Sequence, residues 1–213
     1  MTTPGMLFSQ MDPPPGREAE FHDWYEREHV PSRLAIDGIS AATRWWAVDG
    51  DPAHLAIYEL DDLAALETEE YRRLKESPSQ QTAWMLANVG GFTRYTCRLA
   101  YDSGPAAAPT HLSVVAFAVP EEDAAALDDW YENEHVPALL QAADWLRVRR
   151  YRVVSGEGGP WTHLALHELA SAEVMDSPER AAARQGPKRD ALAGRPWFAN
   201  SGRWLYRLLS RHG

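Results

Sequence analysis

Wound at 100° per residue, the stretch leading into "DWYEREHVP" (Asp23 to Pro31) puts Phe21, Trp24, Tyr25 and Glu28 in one stripe, with His29 at its edge. Asp23, Glu26 and Arg27 fall on the far side. This spacing predicts an amphipathic helix that ends at His29, because Val30 precedes a proline and is biased out of helical geometry. A second stretch repeats the pattern: "DWYENEHVP" (Asp129 to Pro137) stripes Leu127, Trp130, Tyr131 and Glu134. Around each helix lie apolar or alternating runs that read as strands, namely Met6 to Met11, Ala42 to Val48, "HLAIYEL" (His54 to Leu60) and Phe92 to Tyr101. Their counterparts are Leu112 to Val119, Arg147 to Val154, "HLALHEL" (His163 to Leu169) and Arg203 to Leu209. Weaker helical stretches cover Leu63 to Lys75 and Ser171 to Arg184.

The order is β-α-β-β-α-β, twice, which is the split βαβ unit. The offset between copies is 106 from Trp24/Trp130 to Arg44/Arg150 and 109 from His54/His163 onward, where Arg94, Tyr95 and Arg98 fall opposite Arg203, Trp204 and Arg207. The added residues sit in "SGEGGPWT", a Gly-rich turn that tolerates insertion. The chain of 213 residues therefore reads as an α+β protein of two tandem ferredoxin-like repeats, residues 1–101 and 111–213, joined by a linker at 102–110. A four-stranded sheet with both helices on one face leaves the other bare, so the two sheets are expected to cover each other as an intramolecular α+β barrel enclosing a ligand space.

Composition narrows the function. A formal charge of −10 opposes binding to nucleic acid or to an anionic membrane, and no apolar run reaches the length of a membrane-spanning helix. A single Cys97 and a start without a signal-peptide pattern point to the cytoplasm. Nucleotide-binding glycine loops, a G-x-S-x-G elbow and cysteine clusters are absent, and the His22/His29 spacing is no metal signature. No metal and no cofactor are expected.

A carboxylate in an apolar stripe needs a partner, and Arg44 and Arg150 on the following strands are the candidates for Glu28 and Glu134. At helix ends, His29 and His135 are expected to favour their protonated forms. Alternation in "HLAIYEL" separates His54, Ala56 and Tyr58 from Leu55, Ile57 and Glu59; the small Ala between polar rings assigns the first set, and likewise His163, Ala165 and His167, to the ligand space. Tyr58 against His167, and Gln10 against Ala116, break the symmetry between the halves. The catalytic candidates are His167 as a neutral base, Tyr58 as a donor to a developing oxyanion, and His29 and His135; Arg44 and Arg150 would hold a carboxylate or enolate, with Gln10, Trp45 and Tyr151 lining the substrate.

The phrase Trp24, Tyr25, Glu28, His29, Pro31, and its copy Trp130, Tyr131, Glu134, His135, Pro137, resembles the dimeric α+β barrel superfamily, especially its EthD-like members, over nearly the whole chain. That resemblance implies a cavity with polar residues reaching in from strands and helix ends. Proteins similar to it include cofactor-independent isomerases, polyketide cyclases, quinone-forming monooxygenases and haem enzymes. The expectation is a small-molecule enzyme performing isomerisation, cyclisation or elimination on an apolar, carbonyl-bearing substrate. The alternatives are a haem protein with His167 on the iron, a cofactor-free monooxygenase and a ligand-binding protein without turnover. Either a monomer or a homodimer is compatible with the fused halves.

Overall fold

A computed structural model describes residues 2–105 and 107–213; Met1 and Ala106, the latter inside the expected linker, lie outside the described residues. The chain forms two compact units with exchanged ends: Met1–Leu99, Val153–Gly159 and Leu208–Gly213 make the first, Ala100–Arg152 and Pro160–Arg207 the second.

The first unit is built on β1 (Gly5–Asp12), β2 (Ile39–Asp49), β3 (His54–Leu60) and β4 (Gly90–Asp102), all antiparallel in the order β4-β1-β3-β2. Its helices are α1 (Glu18–Trp24), α2 (Val30–Leu34), α3 (Glu69–Glu76) and α4 (Gln80–Asn88), with a 3-10 turn at Leu63–Glu67. The second unit has β5 (His111–Phe117), β6 (Trp145–Glu157), β7 (His163–Leu169) and β8 (Gly202–His212) in the order β8-β5-β7-β6. Its helices are α5 (Ala124–Trp130), α6 (Val136–Leu139), α7 (Pro178–Ala182), α8 (Pro187–Ala193) and α9 (Pro196–Ala199). Strand register repeats residue by residue: Ser9 stands opposite Ala56 and Arg94, and Val115 opposite Ala165 and Arg203, at the two sequence offsets.

The first helix does not end at His29. Tyr25–His29 form a π-helical turn, Val30 is helical at φ −69° and ψ −52°, and α2 continues to Leu34; Tyr131–His135 do the same before α6. A proline inside an α-helix would clash with the carbonyl one turn back, and the wider π turn relieves that clash. The second helical region is also longer than predicted, since α4, α8 and α9 lie beyond Lys75 and Arg184. Ser79 announces α4 by capping it, its Oγ accepting from the Thr82 N–H at 3.0 Å.

In each unit the helices pack on one sheet face. In the first, Leu7, Met11, Ala42, Ala56, Tyr58 and Leu60 meet Phe21, Trp24, Tyr25 and Val30 from the first helix. Phe21 and Tyr25 meet edge-on at 5.0 Å and Tyr25 stacks tilted on His54 at 4.5 Å, each aromatic pair contributing about 1 kcal/mol beyond its area. The opposite face, carrying Phe8, Gln10, Trp45, Leu55 and Ile57, is equally buried.

Candidate active site

The face assignment made from alternation is inverted. His54, Ala56 and Tyr58 lie under the helices, as do His163, Ala165 and His167, while Leu55, Ile57 and Glu59 point the other way. Ala56 makes room for the rings of the repeated phrase, not for a ligand on the far face. The candidates therefore split. His29, Tyr58 and Arg44, and likewise His135, His167 and Arg150, share the helix side of their sheets; Gln10, Trp45 and Tyr151 sit on the other side. Gln10 accepts from the Thr93 hydroxyl at 3.1 Å, and Trp45 donates to Thr43 at 2.9 Å.

The expected Glu–Arg pairs do not form. Arg44, 2% exposed, donates to Glu26 and to His54 Nε2 at 3.2 Å, lies 2.8 Å from His22 Nδ1 and stacks 4.5 Å over Tyr25. Arg150 repeats this with Asp128 (2.5 Å), Glu132 (3.3 Å) and the Tyr131 ring (4.6 Å). The matched acid lies three residues before His29 because the π turn rotates Glu28 away from the sheet. Glu28 instead accepts from the hydroxyls of Ser79 and Thr82, and Thr82 Oγ1 in turn accepts from Trp24 Nε1 at 2.8 Å. Glu134 accepts from the backbone N–H groups of Lys188 and Arg189, both at 3.1 Å. The duplicated Glu thus clamps the π turn to the start of a later helix, a structural use of a repeated residue.

Three polar atoms in the first unit's helix–sheet layer are buried without a partner: His29 Nδ1, His54 Nδ1 and the Tyr58 hydroxyl. Each such group carries a desolvation cost of about 1–3 kcal/mol, so their convergence marks a place where stability is given up. The rings of His29 and Tyr58 are 6.5 Å apart and Tyr25 lies between His29 and His54, at 4.8 and 4.5 Å. Burial drives His29 and His54 well below the ordinary imidazole value, with Arg33 further opposing protonation of His29 and Arg44 of His54; because the helix runs on past His29, no helix end favours its charged form, and both rings are neutral at pH 7. Burial pushes Tyr58 up to about 12, against the pull of Arg33 and Arg44, so it keeps its proton.

The first unit also carries a cleft of about 640 Å³, whose lining includes none of His29, His54 and Tyr58. Tyr71, Lys75, Arg94, Thr96 and Arg98 line it together with Ser155 and Glu157, at the end of β6 that belongs to the first unit. Arg94 bridges cleft and layer: it donates to the Tyr71 hydroxyl, its guanidinium lies 6.0 Å from the Tyr71 ring, and its charge is felt at His29. On the other side Arg33 sits 5.8 Å over the Tyr58 ring. The arrangement offers a neutral base, a protonated phenol and flanking cations. Sequence reasoning overlooked Tyr71 and Arg33; Arg94 was visible only as a repeated arginine whose helix-facing register was the missing signal.

In the second unit, His135 donates through Nδ1 to the Ala183 carbonyl at 2.7 Å and stacks on Trp130 at 4.4 Å, and burial lowers it to about 4. His167 Nδ1 accepts from Trp145 Nε1 at 3.3 Å, and burial holds its pKa well down. That bond occupies the Nδ1 lone pair, leaving the neutral ring's proton on Nε2. The rings of Tyr131, His135 and Trp145 surround His167 at 6.1, 6.1 and 5.4 Å, a filled layer that does not fit a haem on this imidazole. Among the described residues no group of three or more metal-type side chains gathers.

No family model and no curated protein matches the chain. Solved structures do. An anthrone oxidase-like protein superposes with a TM-score of 0.72 at 13% identity, covering 100% of this chain and 93% of its own. A "Putative monooxygenase" from Fusobacterium nucleatum subsp. nucleatum reaches 0.64 at 9% identity, with coverage of 100% and 95%. A chlorite dismutase from Candidatus Nitrospira defluvii reaches 0.52 at 11%, with 97% and 91%. At these identities the likeness establishes a shared α+β fold, and the chemistry has to be argued from the residues. Among the described residues no helix is long and apolar enough to cross a membrane.

Proposed function

We propose that the chain is an enzyme that removes a proton beside a carbonyl of a largely apolar, aromatic or polyketide-like small molecule by acid–base chemistry, needing no bound cofactor. The observation that carries this is the trio of unpartnered buried atoms at His29, His54 and Tyr58, two of them belonging to groups whose pKa values are displaced in opposite directions. His29 Nδ1 takes the proton, and Tyr58 donates to the oxygen on which charge develops. Arg94 and Arg33 stabilise that oxyanion in a site where burial strengthens each interaction. Entry is through the cleft, with Tyr71 and Arg94 parting as the substrate ring replaces them. The reaction would then complete as an isomerisation, cyclisation or elimination.

A second reading keeps the same first step. The enolate formed would react with dioxygen, one oxygen atom becoming a new ring carbonyl in place of a methylene while the other leaves as water. The anthrone oxidase-like and monooxygenase names among the structural neighbours favour this version. We further read the chain as a tandem duplication of one ferredoxin-like module, of the dimeric α+β barrel superfamily, with 1–101 and 111–213 as the ancestral units.

The test is deuterium exchange at the acidic carbon of an anthrone-type substrate, followed by NMR in D₂O without oxygen. Catalysed exchange that drops by about 10²–10⁴ in His29→Gln and clearly in Tyr58→Phe supports the assignment. Full exchange activity in both variants sinks it. Oxygen uptake on admitting air then separates the oxidase from the isomerase.

A further inference from the structure

Most of the first unit's cleft has no part in the reaction proposed above. Its whole lining belongs to that unit, and its volume of about 640 Å³ falls within the span of roughly 300–1,000 Å³ usual for small-molecule sites. One side is β4, where Arg94, Thr96 and Arg98 alternate onto a single face with successive side chains about 7 Å apart. The other side is α3, on which Tyr71 and Lys75 lie one turn apart and share a helix face. Arg94 fastens the two sides together by donating to the hydroxyl of Tyr71, a phenol that is only 3% exposed.

Cleft and helix–sheet layer share a row of the sheet. Thr96 stands opposite Leu7 and Leu7 opposite Tyr58, so the cleft floor lies two strand spacings, about 10 Å, from the phenol assigned to the oxyanion. In that row Leu7 is the one residue between them. One row further along, Arg98 stands opposite Gly5, whose Cα packs against Leu63 of the cleft lining.

The charges on the two sides are not equally available. Among the described residues Lys75, Arg94 and Arg98 form no ion pair. Of the acids in the lining, Asp62 commits one carboxylate oxygen to the Thr3 N–H at 2.8 Å and the other to the Ala64 N–H at 2.9 Å, while Glu67 and Glu157 are exposed. An exposed cation without a partner is ordinary. Two of them on a concavity whose third basic residue is half-buried and bonded to a neutral phenol are placed to receive an anion.

We propose that the substrate is an aromatic acid, its carboxylate held in the cleft by Lys75 and Arg98 while its ring system reaches over Leu7 to Tyr58. This rests on the acid–base reading of the first unit and adds the charge and the length of the molecule, whose acidic carbon lies about 10 Å from the carboxylate. The guanidinium fork of Arg98 matches a carboxylate through paired hydrogen bonds, and the Lys75 ammonium adds a point charge.

Equilibrium dialysis of the whole chain with anthraquinone-2-carboxylate and with the uncharged 2-(hydroxymethyl)anthraquinone tests it. Neither probe has the acidic ring carbon, so binding is read without turnover. Saturable binding of the carboxylate is expected, about tenfold or more tighter than that of the alcohol. Arg98→Gln and Lys75→Gln should each weaken the carboxylate about three- to tenfold and leave the alcohol unchanged. Arg72→Gln, at an exposed arginine of α3 outside the cleft, should change neither, which separates a local site from a loss of net charge. All three positions are exposed, and unchanged melting temperatures show that folding is intact. Equal affinity for the two probes overturns the proposal, as does carboxylate binding that survives Arg98→Gln and Lys75→Gln together or falls equally in Arg72→Gln. Charge-selective binding without catalysed deuterium exchange keeps the site and removes the reaction; exchange without charge selectivity keeps the reaction and removes the site.

Discussion

Acid should unfold this protein through its histidines before its carboxylates take part. His135 and His163 are both lowered to about 4 by burial, against an ordinary value of 6.5, and burial also holds His29, His54 and His167 well down. The unfolded chain therefore binds more protons than the folded one between pH 4 and 6.5, so stability rises with pH across that window and levels off above it. Integrating the linkage between pH 7.5 and pH 5 gives a loss of about 2 kcal/mol for each of His135 and His163, or about 4 kcal/mol together. The other three add to it in the same direction. Against a typical total of about 5–15 kcal/mol, this is a large fraction. The carboxylates of Glu26 and Asp128, held low by the partners that outweigh their burial, act below this window. Urea unfolding followed by tryptophan fluorescence at pH 5, 6 and 7.5 measures the effect. In His135→Asn, whose amide can still donate to the Ala183 carbonyl, the slope should shrink by the share of one histidine. A midpoint that is the same at pH 5 and 7.5 would refute the claim that these rings are buried and neutral.

Other substitutions probe the clamps. Arg44→Ala takes the guanidinium from Glu26, which keeps Ser210 and His212, and empties the space over Tyr25; it should cost about 1.5–3 kcal/mol in chemical denaturation, whereas a change near zero would show that the buried network is not needed. Trp24→Phe deletes a hydrogen bond that Trp130→Phe does not, because Trp130 Nε1 has no partner; the first should be more destabilising by about 1 kcal/mol, and equal melting shifts would contradict the bond to Thr82. Gly186→Ala would place a methyl 2.6 Å from the Glu134 carboxyl carbon at a φ of +128°, so a loss of about 1–3 kcal/mol is expected by thermal melting; an unchanged midpoint would argue against the clamp on α8.

The element order was legible because the period of apolar positions changes from helix to strand at the same places in both halves, and the registers of β1 with β3 and β4, of β2 with β3 and of their counterparts follow the two offsets. The direction of the faces was not. In "HLAIYEL" both sides of the strand are buried, so alternation separates two sets of residues without saying which one meets a helix; Ala56 beside Tyr58 fits equally well under an aromatic helix. The continuation past His29 escaped for a different reason. Pro31 normally ends a helix, and only a wider turn, which leaves no mark in apolar spacing, allows it to pass. Glu28 and Glu134 were correctly seen as carboxylates in need of partners, yet those partners came from segments with weak helical periodicity, α4 and α8, where there was no pattern to point at them.

The first unit is completed by residues made late. Ser210 donates to Glu26 Oε1 at 2.8 Å across 184 positions of chain, His212 lies 3.1 Å from the same carboxylate, and a Cβ at Gly213 would press on Ser40 and Ala41. On the ribosome, the contacts that Ser210 and His212 make with Glu26 must therefore wait until the second unit has been synthesised. A substitution at Ser210 or His212 would be felt in the module encoded before it.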